Sequence, residues 1–231
     1  MPLRTQIPRT QPTELQGMAP ASLIRAAIHG YAFALLPMIP ATYGPDSIQE
    51  AWREFTFDDD AVFNGNDAHA ELFFSWFFHC WAPRPEKGNK VADPGVYGIP
   101  PTQTYLARHS SNLNPLLRRY LEACLTSPLC FYEVSALRPN SGFRAQNVST
   151  GVTLDVIENL ASTSLEDGNI VLARIPFIHG MHMVDAISPI SFPSSFRTRL
   201  SDVHVDPNSR ECSDLLLLDS YFDLLESFPG E

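Results

Sequence analysis

The sequence predicts an α+β fold: an N-terminal helical half, a small antiparallel β-barrel or curled sheet, then a C-terminal amphipathic helix. Three observations carry this. Phe73–Pro83 (FFSWFFHCWAP) packs four phenylalanines and two of the three tryptophans into eleven residues. Apolar density of that kind demands burial among other helices. After Ser127-Pro128 the apolar spacing gives way to short strand-like runs between Gly, Asn and Asp turns. From Asp214 onward the leucines return at helical spacing with acids opposite them. The chain therefore divides into a flexible leader (1–19), a helical domain (20–128), a β-barrel-like domain (129–200) and an acidic tail (201–231).

In order, Met1–Ala19 is rich in Pro, Thr and Gln without periodicity and reads as leader. A helix starts near Pro20 or Ser22, with Leu23, Ala26, Ala27, Tyr31, Ala34 and Leu35 on one face, and Pro37 and Pro40 are expected to stop it. Ser47–Phe55 is a second helix with Asp46 as its cap. The central helix spans about 68–80, capped by Asp67. Arg84–Pro101 is a long loop, a mobile segment or a functional flap. Thr102–His109 and Asn114–Leu125 follow as helices. The strands are Leu129–Leu137, Gly142–Val148, Val152–Ile157, Ile170–Ile178 and Met181–Ile187, the last two a hairpin turning at His179-Gly180. Pro176 inside a strand argues for an edge or a bulge. Pro193–Leu200 is a short helix or turn, and Asp214–Phe228 is the tail helix, with Asp214 at its capped start.

The net charge of −10 is unevenly placed: from Ser201 onward eight acids face a single Arg, so the body is nearly neutral. No basic footprint for a phosphate backbone results, and nucleic-acid binding is not favoured. Cys80, Cys124, Cys130 and Cys212 form no C-x-x-C or C-x-C pair. The usage fits reduced thiols in a cytoplasm. The apolar run Ala26–Ile39 is too short to span a bilayer and reads as a buried helix.

Several segments, taken together and in order, carry a resemblance. They are Tyr43-Gly44-Pro45 through Ala51-Trp52-Arg53-Glu54-Phe55, the F-x-x-W-F-x-x-x-W-x-P pattern at Phe73–Pro83, and Leu121-Glu122-Ala123 to Ser127-Pro128 with Phe131-Tyr132-Glu133-Val134. Ser162-x-Ser164-Leu165 and Asp167-Gly168-Asn169-Ile170 leading to Ala173-Arg174 complete the set. From Tyr43 to Arg199 the chain resembles poorly characterised bacterial proteins that often carry a C-terminal SEC-C zinc motif. The resemblance implies fold more than activity. The motif itself is absent, because Cys212 stands alone where a C-x-C would begin a tetrahedral site, so its zinc and its protein-binding role do not carry over.

No Gly-rich phosphate loop or nucleophile elbow is present. Asp58-Asp59-Asp60 and Asn64-Gly65-Asn66-Asp67 lack the register of a calcium loop. His179 and His182 flank a turn, with His204 and Cys212 downstream, but no converging ligand set follows from this spacing. His79 and Cys80, adjacent in the central helix, point about 100° apart and read as core. Glu133 and Glu158 are the best carboxylate pair, with outward solvation as their default. Arg138, Arg144 and Arg174, interleaved with Phe131, Tyr132 and Phe143, could line a stacking face for single strands. Simple alternation, aromatics in and arginines out, explains them better.

No catalytic, cofactor or metal residue is assigned from the sequence. The expectation is a non-enzymatic interaction or adaptor protein of the bacterial cytoplasm, with the acidic tail helix docking a protein partner or the protein itself. The alternatives are an enzyme with a polar site at the helical/β junction, drawn from His79, Glu133, His179 and His182, and a nucleic-acid-binding barrel.

Overall fold

The computed structural model describes residues 20–28, 30–201, 203 and 210–227. The expected leader, His204, the side chain of Cys212 and the end of the tail helix at Phe228 lie outside the described residues.

The helical half comprises α1 (Pro20–Ile28), α2 (Tyr31–Leu35), α3 (Met38–Tyr43), α4 (Ser47–Thr56), α5 (Ala70–His79), α6 (Pro101–His109) and α7 (Pro115–Thr126). The first predicted helix is broken at Gly30, whose φ is 79°. Helix α2 ends at Leu35, just ahead of Pro37 as expected, but α3 begins directly after that proline and Pro40 does not stop it. Pro37 is the N-cap of α3 and Pro40 lies in its first turn, where a missing N–H costs nothing. Asp46 holds the N-cap position of α4 without a side-chain capping bond. Asp67 sits outside α5, whose N-cap is His69, and accepts from the His69 N–H at 2.8 Å. Asn114 does cap α7, accepting from the Leu116 N–H at 2.8 Å.

The segment after α5 is strapped down. It contains two short 3-10 turns, Pro85–Lys87 and Pro94–Val96. Arg84 and Lys87 both pair with Glu54 of α4, Asn89 donates to Glu50 at 2.9 Å, and the Asp93 N–H reaches the Thr42 carbonyl at 3.0 Å. Close by, the Tyr43 hydroxyl meets the Ile99 carbonyl at 2.8 Å and Thr104 Oγ1 at 2.7 Å. Burial pushes the Tyr43 phenol up to about 12. A folded pKa raised above the free value of about 10 leaves its stabilisation intact below pH 10. It is then lost as pH rises through about 12. Urea titrations across this window should show the wild type losing stability more steeply than Tyr43→Phe; equal slopes would refute the assignment.

The second half is a seven-stranded curled sheet: β1 (Leu129–Arg138), β2 (Gly142–Asn147), β3 (Thr153–Ile157), β4 (Ile170–Arg174), β5 (Phe177–Ile178), β6 (Met181–Met183) and β7 (Ala186–Ile187), in the order β5-β6-β3-β2-β1-β4-β7. The pairing is mixed rather than wholly antiparallel, because β6 runs parallel to β3. Pro176 ends β4, so Ile170–Ile178 is two strands, and only β5 and β6 form the expected hairpin. Met181–Ile187 also divides, with β6 joining one side of the sheet and β7 returning to β4 on the other. A four-residue helix, α8 (Ala161–Ser164), and α9 (Arg197–Ser201) complete this half.

Strand alternation sorts the core. Leu129, Phe131, Ile170 and Leu172 face the helices, whereas Tyr132, Val134, Val171 and Ala173 fill the inside of the curl with Phe143 and Val156. Every residue of β4 is buried. The aromatic residues of α5 form a continuous stack with Trp52, Phe55 and Phe63, including Trp52–Phe73 at 5.0 Å edge to face. The tail helix, α10 (Arg210–Ser227), lies against α4 and β1 and buries Leu217, Leu218, Tyr221 and Leu224. Its apolar face is thus taken by its own body. No described helix is long and apolar enough to cross a membrane.

Candidate functional site: a buried ion cluster at the junction

Arg174 ends β4 on the helix-facing side and is 0% exposed. A strand covered on both faces gives an arginine no outward direction, so the expected outward placement fails here. The guanidinium is consumed entirely by neighbours. Nε donates to Ser75 Oγ at 2.9 Å, and Nη2 to Cys80 Sγ at 2.9 Å and Asp214 Oδ2 at 3.3 Å. Nη1 donates to the Cys124 carbonyl at 3.3 Å and to that of Ser127. Those carbonyls belong to the end of α7, where acceptors lack intrahelical donors and a cation suits the helix dipole. Burial opposes the charge, but Cys80, Asp214 and Asp185 more than offset it, and the group stays cationic.

Asp214 is buried within α10, one turn before Leu217 and Leu218, rather than at the helix start where the sequence places it. Four more residues fold into the helix ahead of it, which puts it on the inward face. Its Oδ1 accepts from the Leu129 N–H at 3.1 Å, and its Oδ2 receives the Cys80 thiol at 2.6 Å. The carboxylate thus joins α10 to the first residue of the sheet.

The second carboxylate is Asp185, between β6 and β7, with its side chain 1% exposed. Ser75 Oγ donates to its Oδ2 at 2.6 Å, and the hydroxyls of Tyr120 and Tyr31 (3.4 Å) donate to Oδ1. Arg174 Nε lies 3.8 Å from Oδ2 and His79 Nε2 lies 3.7 Å from it. Burial pushes this carboxyl up, but His79, Arg174 and the hydroxyl donors outweigh it and hold its pKa below the usual value. Burial also raises the Tyr31, Tyr120 and Cys124 groups far above their free values, with Asp185 adding to each. His79 Nδ1 bonds Thr102 Oγ1 at 3.0 Å.

The other residues singled out from the sequence do not join this cluster. Glu133 pairs with Arg197, and Glu158 lies 3.8 Å from Arg25, so the two carboxylates serve different arginines. His179, at φ 50°, sits beside Arg119, while His182 lies against Phe177 with ring centroids 4.8 Å apart and the planes tilted by 46°. Arg138 and Arg144 approach Asp155 at 3.9 Å each, and Phe131, Tyr132 and Phe143 are buried. Cys124 and Cys130 are both thiols.

Two surface depressions lie nearby. One, of about 310 Å³, is lined by Cys80, Ala82, Pro100, Gln103, Thr126 and the edge of His79, whose imidazole is itself buried. The other, of about 320 Å³, runs between the start of α5, α8 and the edge strand β7, with Ala68, Glu71, Leu160, Leu165, Ile187 and Pro189 in its walls. The fold and cluster define an α+β protein whose helices, curled sheet and tail helix are pinned by one buried arginine. Set against protein-family models, curated proteins and solved structures, the chain finds no match in any of the three.

Proposed function

We propose that this is a non-enzymatic interaction protein of the cytoplasm that receives an extended apolar segment of a protein partner along the β7 edge. The observation that carries the reading is the exposure of Leu160 (83%) in the wall of the groove formed by α5, α8 and β7, beside Leu165 and Ile187. Single exposed apolar residues are ordinary. Leu160, Leu165 and Ile187 together in a groove beside a sheet edge favour strand addition, in which backbone bonds give affinity and alternate side chains fill the groove. Glu71 in the wall favours a basic or amide group on the segment. The tail helix, occupied by its own body, contributes its exposed acids Asp219, Asp223 and Glu226 rather than its leucines. Kinship with the SEC-C-associated bacterial proteins belongs to the same proposal.

A photo-crosslinking residue placed at Leu160 in cells should give one discrete protein adduct, lost on Glu71→Lys. The same residue at exposed Val152, in the β2–β3 turn, should give none. No adduct at 160, or the same adduct from both positions, would overturn the reading.

A further inference from the structure

We propose that His79, Cys124 and Asp185 bind one divalent transition-metal ion, best matched by Zn2+, which cross-links α5, α7 and the β6–β7 connection inside the junction. A ring nitrogen, a thiol sulfur and a carboxylate oxygen from these residues all lie within 4.8 Å of one another. The His79 Nε2 to Asp185 Oδ2 distance of 3.7 Å is too long for a hydrogen bond. It is the spacing of two ligands on one tetrahedral ion, since bonds of about 2.0–2.3 Å place their ends roughly 3.3–3.8 Å apart. The mixed N, S and O set selects a borderline-soft ion rather than Mg2+ or Ca2+.

The surroundings are those of a supported ligand set. Thr102 holds His79 Nδ1 at 3.0 Å and so leaves Nε2 directed at the carboxylate. Tyr31 and Tyr120 fix the Asp185 carboxylate through Oδ1, and Ser75 donates to Oδ2, the oxygen that faces His79. Such outer partners orient metal ligands and set the imidazole tautomer. Charge balance adds a further reason. The cluster buries the carboxylates of Asp185 and Asp214 against the single guanidinium of Arg174. With His79 as a neutral imidazole, one net negative charge is left in a dry interior, which is costly. A divalent ion that displaces the Cys124 proton to solvent leaves a thiolate and brings the cluster to neutrality. Ligation by a thiolate means that binding accompanies folding and releases one proton. A protonated His79 with a neutral Cys124 would also balance the charge, and that is the competing outcome.

The full chain, produced without a polyhistidine tag in zinc-supplemented medium, is measured by native mass spectrometry and elemental analysis. One zinc per chain is expected, and Zn K-edge EXAFS should show a single sulfur at about 2.3 Å with nitrogen and oxygen at about 2.0–2.1 Å. Cys124→Ser should lose the sulfur shell, while Cys80→Ser should keep it. Metal-free protein whose melting temperature does not move with added Zn2+ would overturn the proposal in favour of the imidazolium. A sulfur-free shell, or one with two or more sulfurs, would overturn it as well. The EXAFS arm needs only the wild type and decides the matter even if Cys124→Ser does not fold. It is also independent of the groove at Leu160, so either proposal can fail alone.

Discussion

Arg174→Met is expected to lower unfolding stability by about 3–5 kcal/mol, the usual cost of deleting one partner from a buried ion pair. The physical reason lies in what stays behind. Asp185 and Asp214 keep their buried positions but lose their shared cation, and the carbonyls of Cys124 and Ser127 lose their donor. Methionine fills much of the volume, so the loss reports charge and hydrogen bonding rather than a cavity. The cluster need not exceed an all-apolar junction in net stability, since desolvating three charges offsets most of their attraction. Its effect is on register: the two carboxylates must meet one guanidinium, which fixes where α10 and the β6–β7 connection sit against β4. Urea denaturation followed through Trp52, Trp76 and Trp81 reads the change, and a loss within about 0.5 kcal/mol, the range of ordinary surface substitutions, would contradict it.

Gly142→Ala carries the second large effect, at about 2–3 kcal/mol, the upper part of the range for a strained backbone site. Gly142 opens β2 at φ 146°, and an added Cβ would stand 1.9 Å from the Val156 carbonyl oxygen. That atom belongs to the β3 backbone paired with β2, so relief requires the two strands to part where the curl begins. Gly151 provides the control. It also has positive φ, but a Cβ there meets nothing within 4 Å. Gly151→Ala should therefore cost only the left-handed backbone penalty of about 1–2 kcal/mol. Chemical denaturation of the two variants side by side measures the difference, and equal losses would show that the close approach at Val156 does not matter.

The layers of this fold are legible in the sequence because each is written in a period. The aromatic run at Phe73–Pro83 gives the central helix, the strand runs after Pro128 give the sheet, and Leu217 to Leu225 give the tail helix. What local pattern hides is the partner of each piece. Met181–Ile187 looks like one strand, yet β6 and β7 join opposite ends of the sheet, and no residue within the run marks that division except the polar Asp185 between them. Pro37 reads as a stop because proline ends helices, but the same residue also begins them. The buried cluster was half visible. Asp214 falls in helical phase with Leu217, Leu218 and Tyr221, which places it on the inward face. Arg174 closes IVLAR, an unbroken apolar run of the type that strands covered on both faces show. A charge in either place implies a buried partner. Ser75, Tyr120 and Asp185 carry no such local sign, because only the fold brings them to the arginine.

The central claim is that Arg174 and Asp214 act as one unit joining sheet and tail helix, and a double-mutant cycle on Arg174→Met and Asp214→Asn tests it most directly. Asparagine keeps an acceptor for the Leu129 N–H, so the cycle isolates the charge. Removing both charges should cost less than the two single losses together, with a coupling of about 1–3 kcal/mol, the range for residues in direct contact. Losses that add to within about 0.3–0.5 kcal/mol, as independent sites do, would contradict the claim.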